Sequence, residues 1–537
     1  MGDRMSFIRQ SNLRTLASAL LFALLFSTAS WAHRPAFQTG EHIGPHLAPF
    51  VAPIGSVSGT WTPLANFPPD QVDTGLLLTD GTVMMHVGSC TGKWLRLTPD
   101  NTGSYVNGTW RKIASMPSGY EPLYFASQVL RDGSVIVNGG EYNHTKCDLD
   151  HTKLSAIYDP VTNTWTSVTV PKAWAHVGDA QSVVLASGLY MLTNCCDFQE
   201  ATAVVSGTTV TWTTVNNQWY PNEESWTLLP DNSLITVDVW TNAGKNHDDS
   251  ELFGPKTETW SMGNRTASQL TNTTTHELGA SVLRPDGTVF QAGANPCNDP
   301  KKCAAHTGIY TFVTGVWTSG PDFPMISSKY YDEADGPAAV LPDGNVLVEA
   351  SPGEGKSPTH FFEFDGTNLI RVSEPHNAPS TTPFTNRMLE LPTGQILWTD
   401  GGFDIEVYKE SGSPKSSWAP VITKSPGNVT RGNKNYQVSG NMFNGLSQGA
   451  AYGDDAQMAS NYPLVRISNR TTGRVCFGRT HDFATGLSAS PKKVTTTDFD
   501  FPSASPPAGT QPCDAGASKL QVIVNGIASK AVSITVN

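Results

Sequence analysis

Seven short phrases, VDTG, LYFAS, HVGDAQS, NEESW, HELGAS, EADGPA and TNRML, each lead into an apolar stretch and carry the residues capable of chemistry. They supply the carboxylates of Asp73, Asp179, Glu223, Glu224, Glu277 and Asp335 and the phenol of Tyr124. The imidazoles of His176 and His276 and the guanidinium of Arg387 complete the set. Glu141, Tyr142, His144, Asp197 and Glu349 follow the second stretch of several units. Carboxylates crowded into one concave site repel one another, which raises some pKa values and creates candidates for general acid and base. That pattern would suit a divalent-metal-dependent hydrolase or lyase. The same oxygens can cage Ca²⁺ or Mg²⁺, with Asp179, Glu223, Glu224, His176 and His276 as candidate ligands. A third chemistry adds Tyr124, Tyr142 and Arg387 to the acids to grip a saccharide or other polyhydroxyl ligand, aromatic face against ring and acid against hydroxyl. The plainer alternatives are acids that cap neighbouring backbone N–H groups, histidines with structural roles, and a surface that serves as a protein-binding scaffold. His481, in GRTHDFAT, reads as a surface-loop residue or as a probe toward the underside of the domain that carries the seven phrases.

What must position these residues is a repeat. A hydrophobic stretch, a tight turn and a second hydrophobic stretch recur seven times, with first turn residues Asp80, Asp132, Ser187, Asp231, Asp286, Asp343 and Thr393. Successive turns lie 44 to 57 residues apart, the period of a blade rather than of a single hairpin. Asp-Gly and its relatives accept positive φ, so each unit reads as a β-hairpin with a two-residue turn. Trp110, Trp165, Trp212, Trp260 and Trp317 mark an outer strand after most hairpins, and Asn368-Leu-Ile-Arg takes that place in the sixth unit. Trp61 precedes the first hairpin and has no inner strands of its own. Circular closure explains it: the N-terminal strand completes the last blade and removes an open sheet edge. The prediction is an all-β chain with a seven-bladed β-propeller over 57–413. The seven lead-in phrases then converge at one axial mouth. Beyond the linker at Pro414-Lys415-Ser416, the short alternating strands of 416–537 predict an immunoglobulin-like sandwich.

Composition agrees with this architecture and excludes others. In 537 residues, 48 glycines and 37 prolines against 15% charged residues suit turns and short strands, not long helices. A net charge of −12 leaves no electrostatic footprint for DNA or RNA. Residues 1–32 read as a secretory signal peptide: Arg4, Arg9 and Arg14 precede the apolar run Leu16 to Phe26, and Ser30-Trp31-Ala32 offers small residues for cleavage. Residues 33–56 form an N-terminal extension, and no later run is long enough to span a bilayer. The expected location is extracellular or periplasmic, where disulfides persist. Cys297 can pair with Cys303 and Cys476 with Cys513. Cys90, Cys147, Cys195 and Cys196 have open connectivity, with a bond between adjacent Cys195 and Cys196 disfavoured relative to pairing with Cys90 or Cys147.

DGSVIVNGG and LPDGNVLVEAS in the repeats, then PVITKSPGNVTRGNKNYQVSG, YGDDAQ and the closing VSITVN, resemble the galactose oxidase family. That family joins a kelch-type seven-bladed propeller to an immunoglobulin-like domain, and the resemblance covers roughly 57–537. The family's copper-radical members use a Cys cross-linked to a Tyr, a Tyr-His pair and a His from the last domain. Carried over by distance from the hairpin turns, the cross-linked Tyr falls on Tyr124 and its Cys partner on Asp73. The Tyr-His pair falls on Phe384-Thr385, the last His on Gln457, and the aromatic residue covering the cross-link near Tyr142. No imidazole stands at either His position, and copper needs nitrogen-rich ligation. A copper-radical oxidase of alcohols or aldehydes is therefore the disfavoured alternative.

Overall fold

The computed structural model describes residues 59–215, 220–240, 249–452, 458–488, 490–507 and 509–537, without the side chains of 451 and 452. The expected signal peptide and N-terminal extension, the first two residues of the expected propeller and Gln457 lie outside them. Seven antiparallel sheets form the blades of a propeller, and further strands build a C-terminal β-sandwich. The innermost strands are Val72–Leu77, Ala126–Val129, Ser182–Val184, Thr227–Leu228, Ser281–Leu283, Pro337–Val340 and Arg387–Glu390, here blades 1 to 7. Most of their side chains are buried on both faces, which is why these strands read as apolar runs rather than as alternating ones.

The hairpins are built differently from the expected two-residue turn. In blade 1 the amide of Gly81 donates to the Leu78 carbonyl (2.9 Å), and the Leu78 amide donates to the Thr82 carbonyl (2.7 Å). Only Gly81 has positive φ (75°), so the loop is a type I turn closed by one left-handed residue, with three residues in all. Its partner signal is the aspartate: Asp80 Oδ1 accepts the Thr82 amide (3.1 Å) and hydroxyl (2.6 Å). Asp132, Asp231, Asp286 and Asp343 each accept the amide two residues on in the same way. A Cβ at Gly81 would also collide with the Phe477 ring of the C-terminal domain, so that position excludes side chains twice over.

Ring closure occurs as the leftover tryptophan requires. Thr60–Pro63 pairs antiparallel with Ile405–Lys409, Trp61 opposite Tyr408, and becomes the outer strand of blade 7. The outer-strand tryptophans share a function that their spacing alone does not show: each indole N–H reaches back to the preceding blade or the segment leaving it. Trp165 donates to the Ala114 carbonyl (3.1 Å), Trp212 to Thr169 (2.6 Å) and Trp317 to Ser250 Oγ (3.1 Å). Trp61 continues the series by donating to the Ser373 carbonyl just past blade 6 (2.7 Å), and Trp110 by donating to Asn66 just past Trp61's own strand (2.9 Å). Trp61 also packs against Tyr408 and Phe361 at 4.9 and 5.1 Å. Trp61→Ala should therefore destabilise the protein by about 2–3 kcal/mol, below the range for a fully buried tryptophan. Thr60→Ala, exposed on the same strand, should be near neutral. Chemical denaturation of the two variants checks this.

In the C-terminal domain, Val421–Lys424, Tyr436–Asn441, Val494–Asp500 and Val475–His481 pair in series, then continue through Leu464–Asn469 to Gly516–Val524 and Val532–Val536. The sheet curls over a core that includes Val438, Ile467, Phe499, Leu520 and Ile534. This domain docks on the hairpin-turn end of the propeller. Arg479 donates to the Asp132 carbonyl (2.9 Å), the Thr480 amide to Thr79 (3.2 Å) and the Leu487 amide to Asn232 Oδ1 (2.6 Å). One of its strands, Ala450–Tyr452, adds to the inner edge of blade 6 beside Pro337–Val340. Because the domain covers the turn end, the opposite end, where the inner strands begin, keeps the chemically equipped lead-in residues.

The disulfides correct one expectation. Cys297–Cys303 and Cys476–Cys513 form as read from their spacing. Cys90 joins Cys147, and Cys195 joins its neighbour Cys196, so no cysteine is free. The adjacent pair fits because Gly178 (φ 69°) leaves room: the Cys195 sulfur lies where a Gly178 Cβ would stand. His481 is likewise not a loop residue. It ends a strand, buried, between Asp482 (2.8 Å) and Asp500 (3.2 Å).

Candidate functional site

The lead-in residues are aimed by an unusual backbone. Tyr124, Glu223 and Asp335 each stand eight residues before the hairpin turn of blades 2, 4 and 6, with φ of 52°, 61° and 57°. Left-handed φ at a non-glycine costs on the order of 1 kcal/mol or more, and such residues cluster where geometry serves a site. Three at one register in alternate blades form a ring of redirected side chains. His276 (φ 63°) does the same two residues earlier in blade 5.

On one side of the mouth, Arg387 organises a charged cluster. Its Nε lies 3.1 Å from Asp73 Oδ1, and Nη1 donates to the carbonyls of Phe384 (2.9 Å) and Asn386 (2.8 Å). Asn386 Nδ2 in turn donates to Glu349 Oε2 (2.9 Å). The guanidinium sits 5.7 Å from the centre of the Tyr124 ring, within cation–π range. Tyr124 meets Tyr142 edge to face at 6.2 Å. Burial pushes the Tyr124 phenol well up; Arg387 opposes this, while Asp73, Asp335 and Glu141 add to it. Both phenols therefore remain neutral donors, Tyr142 being raised by burial and by Glu141 and Asp179. Beneath them Glu349 and Glu333 are fully buried in blade 6, and the Glu333 carboxylate accepts the Ala280 amide (3.0 Å). Burial raises both well above the usual carboxyl range, and for Glu333 the charge of Glu349 is the next cause.

The other side is aromatic, and the sequence reading did not find it. Phe198, Tyr220, Trp240 and His276 form a row: Phe198 to Tyr220 at 5.3 Å, Tyr220 to Trp240 at 5.4 Å, and Trp240 stacked on His276 at 3.7 Å. Asp179 links the two sides, since its charge acts on both Tyr142 and Tyr220. Burial, followed by Glu223, Asp179 and Asp197, pushes the Tyr220 phenol up to about 12. Glu223 accepts from Asn222 Nδ2 (3.0 Å) beside this row. Glu277 lies partly exposed next to His276, its carbonyl receiving the Asn272 amide.

The five candidate metal ligands do not form one group. His276 is stacked on Trp240, and exposed His176 packs against His151 at 6.3 Å. Glu224 turns away from Glu223 into the interior, beside Asp238 and Glu251. Among the described residues, none of the groups of three or more ligand atoms within 4.8 Å contains Asp179, Glu223, His176 or His276. One such group, His151 with Cys195 and Cys196, has both sulfurs committed to a disulfide. Copper does not fit the positions carried over by resemblance: Asp73 is committed to Arg387, and Phe384 supplies only its carbonyl to that same guanidinium.

Seven blades of Asp-Gly-type hairpins, closed by the N-terminal strand and followed by a β-sandwich, accompany a match to the Kelch-like protein terF of Aspergillus terreus (strain NIH 2624 / FGSC A1156). It is 29% identical over 126 residues, 24% of this chain and 26% of that protein. The chain folds as a kelch-type seven-bladed propeller followed by a β-sandwich. The match spans about a quarter of the curated relative's length. No family model matches the chain. Among solved structures, a novel fungal alcohol oxidase of the AA5 family, in complex with copper, is 14% identical with a TM-score of 0.48, covering 89% of this chain and 99% of its own. Virginiamycin B lyase from Staphylococcus aureus is 8% identical with a TM-score of 0.43, covering 66% of this chain and 99% of its own. At these values neither likeness bears on the chemistry of the kelch-type propeller.

Proposed function

We propose that this propeller is an exported protein that binds a saccharide or other polyhydroxyl ligand at its mouth. The observation that carries this reading is the interleaving of rings and charged groups: Tyr124 meets Tyr142 at 6.2 Å beside the Arg387–Asp73 pair, and Phe198, Tyr220 and Trp240 form a row at 5.3 and 5.4 Å. Aromatic faces cover the apolar C–H face of a sugar, while carboxylates, neutral phenols and a fixed guanidinium satisfy its hydroxyls. The aromatic residues Phe198 and Tyr142 reach solvent, and Tyr142 meets Tyr124, which packs on the buried Arg387–Asp73 ion pair, so that part of the contact surface stands on a rigid support. Eight cysteines joined in four disulfides are compatible with export.

Isothermal titration against a panel of neutral and amino sugars, uronates and linear polyols tests the reading. At least one class should bind, and Tyr142→Ala or Tyr220→Ala should weaken it about tenfold, the equivalent of about 1.4 kcal/mol. Asp179→Asn should weaken it by a similar factor without changing thermal stability. Absence of binding across the panel, or binding indifferent to all three substitutions, would sink the proposal.

A further inference from the structure

A second site lies away from the mouth, inside blade 4. Glu224 leads into the innermost strand, Asp238 follows the second strand Leu234–Val237, and Glu251 lies in the third strand Ser250–Gly254. Their solvent exposures are 1%, 3% and 2%. One ligand oxygen from each lies within 4.8 Å of the other two. Glu224 Oε1, Asp238 Oδ1 and Glu251 Oε1 are all buried without a hydrogen-bond partner. No lysine or arginine forms an ion pair with any of them among the described residues. Glu200, from blade 3, adds a fourth buried carboxylate whose charge acts on Glu224 and Glu251, but it is engaged by the Trp260 indole (2.5 Å).

A separate group points to a ligand. Thr236 is directly opposite Glu251 in the strand register, so their side chains share one face of the sheet. Its hydroxyl is 2% exposed, faces Glu224 and falls short of hydrogen-bond geometry with any partner. A neutral oxygen donor is thus aimed into three carboxylates that each keep one buried oxygen without a hydrogen-bond partner, the Trp240 amide also donating to Asp238. Three buried negative charges without compensation cost far more than a folded protein can bear. Either protons or a cation must neutralise them.

We propose that Glu224, Asp238, Glu251 and the Thr236 hydroxyl form a structural Ca²⁺ site within blade 4. The donor set is all oxygen, which selects hard cations over copper or zinc. Three carboxylate oxygens within 4.8 Å of one another, with a hydroxyl beside them, can close on a single cation, and Ca²⁺ takes such an all-oxygen protein set in flexible geometry. Mg²⁺, at roughly 2.1 Å and with strict octahedral demands, suits a smaller cage that keeps several waters. The site ties three successive strands of one blade together, and it is independent of whether the mouth binds saccharide.

Elemental analysis after refolding in millimolar CaCl₂ and exhaustive dialysis against chelator tests it. Wild type should retain close to one equivalent of Ca²⁺, and its thermal midpoint should exceed that of protein refolded in chelator by several degrees. Tb³⁺ taken up in place of Ca²⁺ should luminesce on excitation of tryptophan, since Trp260 lies against Glu200. The Glu224→Gln, Glu251→Gln double variant should retain no Ca²⁺, yet match or exceed chelator-refolded wild type in thermal midpoint, because it carries fewer buried charges. Thr236→Val, which keeps the fold's shape, should weaken retention about tenfold if the double variant does not fold. Wild type without retained cation, or a double variant or Thr236→Val with undiminished Ca²⁺, would overturn the site and show that the acids are held neutral by protons.

Discussion

Replacing Arg387 with methionine should destabilise the protein by about 3–5 kcal/mol, because it strands Asp73 as an uncompensated charge in the interior. Arg387 is 2% and Asp73 7% exposed, so water cannot take over the lost partner. The carbonyls of Phe384 and Asn386 lose their donors in the same step, which adds to the cost. The double variant Arg387→Met, Asp73→Asn should recover a large part of the loss, since it removes both charges and leaves only the unpaired carbonyls. Denaturation curves for wild type, both single variants and the double variant supply a coupling energy directly. Equal stability of Arg387→Met and the double variant would show that the ion pair is not what matters there. The same cycle informs the mouth: Tyr124 packs on the guanidinium, so the single variant should also loosen the Tyr124–Tyr142 pair, and ligand binding should fall further than for Tyr142→Ala.

How much of this was legible in the sequence depended on whether local pattern or tertiary contact decided each feature. Hairpin periodicity and the orphan Trp61 were enough for seven blades and for the closure, because both are written in spacing. The turns were misjudged by one residue, since Asp-Gly serves a two-residue turn and a type I turn with a left-handed third residue equally well. Glu223 and Glu224 looked equivalent, but a left-handed Glu223 keeps one side chain at the mouth while its neighbour enters the core. The Cys195–Cys196 bond was disfavoured on its local cost, whereas its accommodation depends on Gly178, 17 residues earlier and beside it only once the two inner strands of blade 3 pair. Phe198, Tyr220 and Trp240 lie in loops with no shared period, so only folding brings them into a row. A useful signal was nonetheless present: each lies within a few residues of a lead-in acid or of the end of a second strand.

Stability should fall as the pH rises from about 5 to about 8.5, the reverse of proteins whose acids are mostly salt-bridged. Burial raises Asp400 to about 6, Asp332 and Glu406 to about 7, and Glu410 to about 8. Each carboxyl then binds its proton more tightly in the folded state than in the unfolded one, where the values are near 4. Their contribution is fully present below pH 4 and is lost progressively as the pH rises through 6, 7 and 8. Opposing groups set the acid limit. Asp500 is held below its usual range by the Asn435 amide and by Arg479 against the effect of burial, so its contribution disappears on strong acidification. His86, kept neutral by burial, also loses stability below about pH 6.5. The maximum should therefore fall near pH 5. Glu410 provides the cleanest probe: burial comes first among its causes, then Asp343 and Glu363, and its Oε2 is buried without a hydrogen-bond partner. Glu410→Gln should be nearly neutral at pH 5 and more stable than wild type by about 2 kcal/mol at pH 8.5, a figure reduced for its partial exposure. Calorimetric midpoints across pH 4–9 for both proteins measure the slope directly, with chelator present throughout so that cation binding does not contribute. A wild-type midpoint that climbs between pH 5 and 8.5, or a Glu410→Gln profile parallel to wild type, would mean that these acids are solvated well enough to ionise in place.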